Sequence, residues 1–323
     1  IYQGRWLDTK FKKDETDPEK RAERLWSKAA AESIVAACRG KVGIVTEESK
    51  PTTSMAPALF DLTSLQREAN ARFGFSAKNT LGLAQALYEK HKVLTYPRTD
   101  SRHLPEDYLP TVLETLDNLA ENNNYHQFAK QITKNNWVKP NKRIFDNTKI
   151  SDHFAIIPTT QAPKNLSEPE QKLYDLVTRR FMAIFFPAAE FQVTTRFTEV
   201  SGHQFKTEGK VLTNPGWLAV YGKDVDEEKD GENSGNLVPV AKDEKVQTES
   251  VVANGLVTKP PARYSEATLL SAMEGAGKLV DDGELRDAMA GKGLGTPATR
   301  AAIIEGLLTE KYLLREGREL MPT

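Results

Sequence analysis

The sequence predicts a multidomain α+β protein in which a β-rich domain is interrupted by a helical insertion. The length of 323 residues exceeds what one compact core usually holds, which favours two or three domains. From about Phe60 to Phe186 the apolar residues recur mostly at helical spacing. The chain is β-rich on both sides of this block, and after Pro187 apolar and polar residues alternate. We therefore expect the two β-rich stretches to belong to one domain.

The N-terminal elements are predicted from caps and breakers. A helix is predicted over residues 17–39, because its first residue is a suitable N-cap, Pro18 suits the first helical position and Gly40 can end it. A strand is predicted at Lys41–Glu48. The breaker-rich segment Pro51–Pro57 is predicted to be a domain boundary.

Helices are predicted where apolar residues recur at helical spacing next to a start or stop signal. Four such helices fall in the middle block: one ending near Gly74, one capped by Ser76, one beginning at Pro105 and one opened by a capping box of Ser167 and Glu170. After Pro260 two more are expected, one capped by Ser265 and one opened by Thr296 and Pro297.

Three strands are predicted after Pro187. The first is Phe191–Val200, and the turn at Ser201–Gly202 leads into the second. The third is placed around Trp217–Tyr221. The acidic stretch Asp224–Gly235 is predicted to be a solvated loop.

Composition and charge exclude several classes of protein. Lysine and arginine number 44 against 45 aspartates and glutamates, so the net charge of -1 excludes a uniformly basic nucleic-acid coat but not a local basic groove. The single cysteine, Cys38, cannot form an internal disulfide, which fits a cytoplasmic protein. No apolar run approaches the roughly 20 residues that span a bilayer, so no membrane association is expected. The first ten residues read as the middle of a strand, and we expect the chain to be an excised fragment.

The segment Val93–Arg102 (VLTYPRTDSR) carries the strongest chemical signal. The proline after Tyr96 disfavours the helical conformation for the tyrosine, so its phenol can project from a short strand into a cleft. Arg98 lies two residues further on, on the same side of an extended backbone. Its guanidinium can bind a phosphate through two parallel hydrogen bonds.

These two residues allow attack of a phenol on a phosphodiester. A tyrosine with an ordinary pKa near 10 is only about 0.1% phenolate at pH 7, so it needs nearby positive charge. Arg98 can supply that charge and can also stabilise the charge that develops on the phosphoryl group. Judged on this segment alone, a packing tyrosine in an ordinary turn is the more common case.

Two further stretches carry weaker signals. His153 follows an aspartate and precedes a short apolar strand, so it can hold a proton near a phosphate, although a structural histidine is the more common case. Thr299 and Arg300 lie in the first turn of a predicted helix, where free N–H groups and the dipole favour an anion. With a strand predicted at Tyr312–Leu314, this helix resembles the second helix of a helix-turn-helix, and an ordinary capped helix is the alternative.

Taken together, six separated blocks resemble the type IA DNA topoisomerases. In chain order they are FDLTSLQREAN, LAQALYEK, TYPRTDS, DHFAIIPT, PPARYSEATL and GLGTPATRAAIIEGLL. Each block alone is a weak signal, but their order and separations make the resemblance specific from about Phe60 to Tyr312. Ile157 stands where the topoisomerase I branch usually has arginine, so the chain is more similar to the topoisomerase III branch.

The resemblance implies an architecture, an activity and a partner. The architecture is a toroid with a split β-rich arch domain at 1–58 and 187–254, a helical winged-helix-like domain at 59–186 that carries the tyrosine, and part of a helical DNA-binding domain at 255–323. The activity is cleavage of one DNA strand, passage of another and religation without ATP. The partner is single-stranded DNA, and we expect a monomer.

The resemblance also implies roles for residues in these blocks. The catalytic residues are Tyr96, Arg98 and His153. The DNA-binding residues are Asp100, Ser101, Thr299 and Arg300. The tyrosine would form a 5′-phosphotyrosyl link, the arginine would stabilise the scissile phosphate and the histidine would assist near it. Asp100 is expected to orient its neighbours.

A Mg²⁺ ion is implied as well, but this chain is not expected to hold it. In type IA enzymes a Toprim domain that precedes these blocks binds the ion with a glutamate and a DxDxE cluster, and we expect this chain to lack that domain. Residues 224–228 spell DxDxE, yet they follow the tyrosine and no glycine-glutamate comes after them, so we reject them as the metal site. We therefore expect the chain alone to bind single-stranded DNA weakly and not to relax supercoiled DNA.

One alternative remains open and a second is disfavoured. A non-catalytic nucleic-acid-binding protein of winged-helix type would use Tyr96 only to stack on a base. A tyrosine recombinase is disfavoured, because it needs several dispersed arginines and histidines around a late tyrosine. Here the tyrosine comes early and Arg98 lies beside it.

Overall fold

The computed structural model describes residues 1–14, 16–17, 19–225, 237–280, 283–289 and 293–323, and within them the protein is α+β, as predicted. The helices are α1 (Lys28–Cys38), α2 (Leu62–Phe73), α3 (Ala77–Glu89), α4 (Leu109–Leu119), α5 (His126–Lys134), α6 (Glu168–Ala183), α7 (Glu266–Glu274), α8 (Gly283–Met289) and α9 (Pro297–Thr309). The strands are β1 (Arg5–Leu7), β2 (Val42–Ser54), β3 (Ala189–Val200), β4 (His203–Asn214), β5 (Glu244–Gln247), β6 (Tyr264–Ser265), β7 (Leu313–Glu316) and β8 (Glu319–Pro322). None of the described helices is long and apolar enough to cross a membrane.

The described chain forms two compact units, each assembled from two separate stretches of sequence. The first consists of residues 1–54 and 188–260, and the second of residues 55–187 and 261–323. The division into domains at 1–58 with 187–254, 59–186 and 255–323 stays a prediction.

The first unit is built on a five-stranded antiparallel sheet in the order β1-β4-β3-β2-β5. Strand β2 pairs with β3 along almost its whole length, so the β-rich stretches before and after the helical block share one sheet. β3 and β4 form a hairpin at Ser201–Gly202, where both residues have positive φ angles of 51° and 79°. Helix α1 packs here through Cys38, which is fully buried and whose thiol donates to the Val200 carbonyl oxygen at 3.4 Å.

The prediction of a helix over residues 17–39 is wrong in its first half, because the helix begins at Lys28. The carboxylate of Asp17 accepts a hydrogen bond from the backbone N–H of Glu19 at 3.0 Å, a local turn that competes with helix formation. Ser27 supplies the N-cap, since its side chain accepts from the N–H of Ala30. Pro18 lies outside the described residues.

The predicted strand around Trp217–Tyr221 is also wrong, because residues 216–225 form 3₁₀ turns. A short apolar run fits a helical segment as well as a strand, and the neighbouring contacts decide between them. The side chain of Asn214 accepts from the N–H of Gly216 at 3.1 Å, which starts the turn. The indole N–H of Trp217 donates to the Ser54 carbonyl oxygen at 2.8 Å. Most of the predicted acidic loop at 224–235 lies outside the described residues.

The second unit contains helices α2 to α9 and a three-stranded sheet in the order β6-β8-β7. The helices predicted from local signals are confirmed: Gly74 ends α2 in the left-handed conformation, Ser76 caps α3, and capping boxes open α6, α7 and α9. The helix predicted from Pro105 begins with a 3₁₀ turn at Glu106–Tyr108 and continues as α4. Sequence reasoning missed α5, whose nine residues bury only Ala129 and Ile132, and the seven-residue α8.

The last helices of the chain pack against the helices of the middle block. A buried cluster joins the start of α3 to α7 and α9, and its members are Ala77, Leu270, Met273, Ala301 and Ile304. The buried carboxylate of Glu266 strengthens this contact, because it accepts from the N–H of Ala77 at 2.7 Å. The start of α9 is thereby fixed within the same unit as the segment that carries Tyr96.

Candidate active site

Tyr96 lies in the segment after α3, and hydrogen bonds to an antiparallel neighbouring segment fix its backbone. Lys92, with a φ of 60°, reverses the chain after the helix. The N–H of Thr95 donates to the Ile157 carbonyl oxygen at 3.0 Å, and its hydroxyl donates to that of Ala155 at 3.0 Å. Both chain neighbours of Tyr96 are buried, whereas Tyr96 itself is half-buried. The backbone is thus anchored while the phenol keeps access to solvent.

The phenol ring of Tyr96 contacts two other rings. The imidazole of exposed His153 has its centroid 4.2 Å away and is tilted by 43°. The ring of Tyr88, on α3, meets Tyr96 edge-on at 5.4 Å. The hydroxyl of Thr99 donates to the His153 carbonyl oxygen at 2.9 Å, so the histidine is tied to the segment of the tyrosine. The predicted nucleophile and the predicted assisting histidine are therefore in contact.

Arg98 is half-buried and has a neutral partner. A guanidinium only donates hydrogen bonds, so the amide of Gln85 faces it with its oxygen. In that orientation the oxygen accepts from Nε of Arg98 at 3.3 Å and from Nη2 at 3.0 Å. Among the described residues no carboxylate forms an ion pair with Arg98. The positive charge of the guanidinium is therefore not cancelled inside this part of the protein.

A cleft of about 170 Å³ brings several predicted residues together. It is lined by Arg98, Thr99, Asp100, Ser151, Asp152, His153, Thr296, Pro297 and Ala298. Tyr96 does not line the cleft, but its ring contacts His153, which does. The start of α9 forms one side, where the positive end of the helix dipole favours an anion. Asp100 is exposed here and lies 3.4 Å from the hydroxyl of Ser151.

Ser101 and Arg300, predicted to contact DNA, are each only 3% exposed. The hydroxyl of Ser101 donates to the Lys149 carbonyl oxygen at 2.9 Å. Nη1 of Arg300 donates to the hydroxyl of Thr63 at 2.9 Å, and its Nε donates to the Leu294 carbonyl oxygen at 3.2 Å. Side chains that are buried with internal partners hold the surrounding loops in place, and a contact of Ser101 or Arg300 with DNA stays a prediction.

Thr299 is exposed and belongs to the capping box of α9. Its hydroxyl accepts from the N–H of Thr296 at 2.8 Å. This bond orders the first turn of the helix beside the cleft. A contact between Thr299 and DNA stays a prediction.

Sequence reasoning missed three residues that support this site. Gln85 and Tyr88 lie three residues apart on α3 and contact Arg98 and Tyr96, and their spacing is a signal that could have identified them. The third is Arg102, whose Nε lies 2.7 Å from Oδ2 of Asp61, the N-cap of α2. Local sequence patterns give no signal for this pair, since 41 residues separate the partners.

Two titratable groups near the site have shifted pKa values, and burial is the main cause of both shifts. Burial lowers the pKa of His103, which the charge of Asp146 only partly opposes. Burial raises the pKa of Tyr108, whose ring packs against Phe154 with centroids 4.9 Å apart. Because burial disfavours its phenolate, Tyr108 acts as a packing tyrosine.

The site residues do not fit a metal ion. In the described ranges, no group of three or more histidine, cysteine, aspartate and glutamate side chains is arranged to hold one. Of the DxDxE motif at 224–228, residues 226–228 lie outside the described residues. No chemical step is therefore assigned to a metal held by this chain.

Comparison with known proteins identifies similar chains. A family model described as DNA topoisomerase matches residues 6–323. DNA topoisomerase 3 of Bacillus subtilis (strain 168) is 39% identical over 314 residues, which cover 95% of this chain and 43% of the relative. DNA topoisomerase 3 of Bacillus licheniformis is 41% identical over 307 residues, which cover 93% and 42%. The chain thus spans less than half the length of the curated relatives it matches.

One solved structure shows a similar fold. The full-length topoisomerase I from Thermotoga maritima matches with a TM-score of 0.64, covering 95% of this chain and 46% of that one. The sequence identity is 22%, so this likeness concerns the fold alone.

Proposed function

The chain belongs to the type IA DNA topoisomerase family and is similar to its topoisomerase III members, and from this premise we propose that the full-length protein cuts one DNA strand, passes another through the gap and reseals the cut. One observation carries the proposal most strongly. The half-buried ring of Tyr96 contacts the exposed His153, while nearby Arg98 keeps its charge because its partner is an amide.

In the proposed reaction the phenol oxygen of Tyr96 bonds to the phosphorus of a DNA phosphodiester. The bond between that phosphorus and the 3′ oxygen of the preceding sugar breaks, which leaves a 5′-phosphotyrosyl link and a 3′ hydroxyl. The phenol loses its proton, for which the contacting imidazole of His153 is the candidate acceptor, and the leaving 3′ oxygen gains one. One phosphodiester replaces another, so the reverse reaction reseals the strand without ATP.

Arg98 has a defined task in this reaction. Negative charge develops on the phosphoryl oxygens as the new bond forms, and a guanidinium at the cleft stabilises it. The start of α9 also lines the cleft, and the positive end of its helix dipole favours the same negative charge. Asp100 and Thr299 are the exposed members of the predicted DNA-binding set, and we propose that they contact the strand beside the cut.

We propose the family's finer features for the full-length protein as well. They are the toroid with a split arch, winged-helix-like helical domains, a Mg²⁺ requirement met by residues outside this chain, a monomeric state, a cytoplasmic location and specificity for single-stranded DNA. The sheet shared by two separate stretches of chain supports a split arch domain. Purified alone, this chain is expected to bind single-stranded DNA weakly and to leave supercoiled DNA unrelaxed.

The second candidate function is binding of nucleic acid through a winged helix, without catalysis. The observation that favours it is the order of α7, α8, α9 and the hairpin of β7 and β8, in which three helices are followed by a β-ribbon. In that case Tyr96 would stack on a base and never bond to phosphorus.

Capture of labelled DNA separates the two functions. Full-length protein is mixed with Mg²⁺ and a single-stranded oligonucleotide labelled at its 3′ end, and the mixture is denatured. We expect the label to migrate with the wild-type protein and with Tyr108→Phe, which removes the hydroxyl of a half-buried tyrosine that does not line the cleft, but not with Tyr96→Phe. A label that migrates with Tyr96→Phe would contradict the proposed nucleophile. DNA binding by wild-type protein without any captured label would favour the second function.

A further inference from the structure

We propose that Gln85 is a positioning residue whose side-chain oxygen orients the guanidinium of Arg98 without cancelling its charge. This inference rests on the proposed function, because it concerns how Arg98 meets the scissile phosphate. The contact itself is geometric: the Gln85 oxygen accepts from Nε at 3.3 Å and from Nη2 at 3.0 Å of Arg98.

The position of Gln85 is well suited to this task. It lies in the last turns of α3, three residues before Tyr88, so the two side chains share one face of the helix. Tyr88 contacts the ring of Tyr96 edge-on at 5.4 Å. One rigid helix face therefore holds both the phenol and the guanidinium. The N–H of Val93 donates to the Leu87 carbonyl oxygen at 2.9 Å, which ties the following segment to the same helix.

The chemistry of the amide explains why glutamine suits this place. A guanidinium has five N–H donors, and Gln85 occupies two of them, so donors remain for a phosphate. A carboxylate in the same position would form a charge-assisted pair with Arg98 and compete with the phosphate for its charge. The described part of the chain places no carboxylate in an ion pair with Arg98, although Asp100 and Asp152 line the same cleft.

Partial burial strengthens the hydrogen bonds between Gln85 and Arg98. Arg98 and Gln85 are both partly shielded from solvent, so water competes less for their hydrogen bonds than on an open surface. Without the amide, the long arginine side chain would sample several rotamers, and fewer of them would present the guanidinium to the cleft. We therefore expect loss of the Gln85 amide to lower the rate of strand cleavage more than it lowers the affinity for DNA.

Variants of the full-length protein test the inference. Gln85→Met removes the acceptor at similar size and should slow formation of the covalent adduct about tenfold, the size of one charge-assisted hydrogen bond, with a smaller change in DNA affinity. Gln85→Glu keeps an acceptor but adds charge, so it should weaken DNA binding itself. Asn79→Leu, an amide removed from the exposed start of the same helix, should leave both quantities unchanged.

A double-mutant cycle distinguishes positioning from a general structural role. In the Arg98→Ala background, Gln85→Met should cause no further loss of rate, because Gln85 acts through the guanidinium. Melting temperatures of all variants report whether they fold. An equal loss in both backgrounds, or a Gln85→Met protein as fast as wild type, would overturn the inference while Tyr96-dependent adduct formation keeps the proposed function intact. A wild-type protein that forms no Tyr96-dependent adduct would overturn the proposed function and this inference together.

Discussion

Arg98, two residues after Tyr96, and Arg300, in the first turn of α9, both belong to motifs that predict contact with DNA, and their surroundings differ. Arg98 is half-buried and bonds to the neutral amide of Gln85. Arg300 is 3% exposed and bonds to the hydroxyl of Thr63 and a backbone carbonyl oxygen. A motif alone therefore does not say whether an arginine binds a ligand or its own protein. Burial and internal acceptors favour a structural role for Arg300, whereas Arg98 has donors left for a ligand.

The largest expected effect concerns Arg98. Arg98→Ala should slow formation of the covalent adduct by about 10²–10³, the cost of losing one donor group to a developing negative charge. Its half-buried position should leave the melting temperature almost unchanged. Single-turnover capture of labelled oligonucleotide measures the rate, and circular dichroism measures melting. A variant with the wild-type rate, or one that loses activity only because it unfolds, would indicate a structural role for Arg98.

The next effect concerns Arg300. Arg300→Met leaves Thr63 Oγ1 and the Leu294 carbonyl oxygen without their donor, so the free energy of unfolding should fall by about 1–3 kcal/mol. Denaturant titration of the full-length protein measures this loss. Because Arg300 is buried, the slope of log affinity for single-stranded DNA against log salt should stay the same. A slope reduced by about 0.7 at unchanged stability would show a lost phosphate contact and support the predicted contact of Arg300 with DNA.

The smallest expected effect concerns Glu170, a carboxylate that, like Arg300, bonds to groups of its own protein. Glu170 accepts from the N–H and hydroxyl of Ser167 at 2.8 and 2.7 Å, and lies 3.2 Å from Nε2 of His91. The hydrogen bond from the Ser167 side chain is the main cause that lowers the pKa of Glu170. The stabilisation that the ionised Glu170 gives to the folded protein is therefore complete above the ordinary pKa of 4.5. It is lost as the pH falls through the lowered pKa.

Glu170→Gln keeps an acceptor for the capping box but removes its charge, so it should reduce the free energy of unfolding by about 1 kcal/mol near neutral pH, the difference between a charged and a neutral acceptor. The difference from wild type should shrink as the solution is acidified below the ordinary pKa. Urea titrations at several pH values measure it. A difference that is constant across that range would show that the carboxylate charge has no part in the capping box.

Features with local causes could be predicted from the sequence. Ser76 and the Ser167–Glu170 box fix the starts of α3 and α6, because an N-cap bonds within its own first turn. The Tyr-Pro-Arg order likewise placed a half-buried phenol beside an arginine, since proline restricts the residue before it. In these cases neighbouring residues determine the conformation.

Features that depend on distant partners could not be predicted. Residues 217–221 are predicted to be a strand. In the structure Trp217 donates a hydrogen bond to the carbonyl oxygen of Ser54, which lies 163 residues earlier in the sequence. The sequence predicts that Arg300 contacts DNA but not that it is buried, since Thr63, which accepts its hydrogen bond, lies 237 residues earlier. Burial and hydrogen bonding of this kind arise from tertiary packing, which one segment of sequence does not report.

The identity of the nucleophile can be measured most directly by peptide mapping. Full-length protein captured on single-stranded DNA is digested with a nuclease and trypsin, and the peptide carrying the residual nucleotide is sequenced by mass spectrometry. Cleavage after Lys92 and Arg98 releases Val93–Arg98, in which Tyr96 is the one tyrosine. We predict a nucleotide joined through its 5′ phosphate to Tyr96 of this peptide. A nucleotide on any other residue, or attached through a 3′ phosphate, would contradict the proposed mechanism.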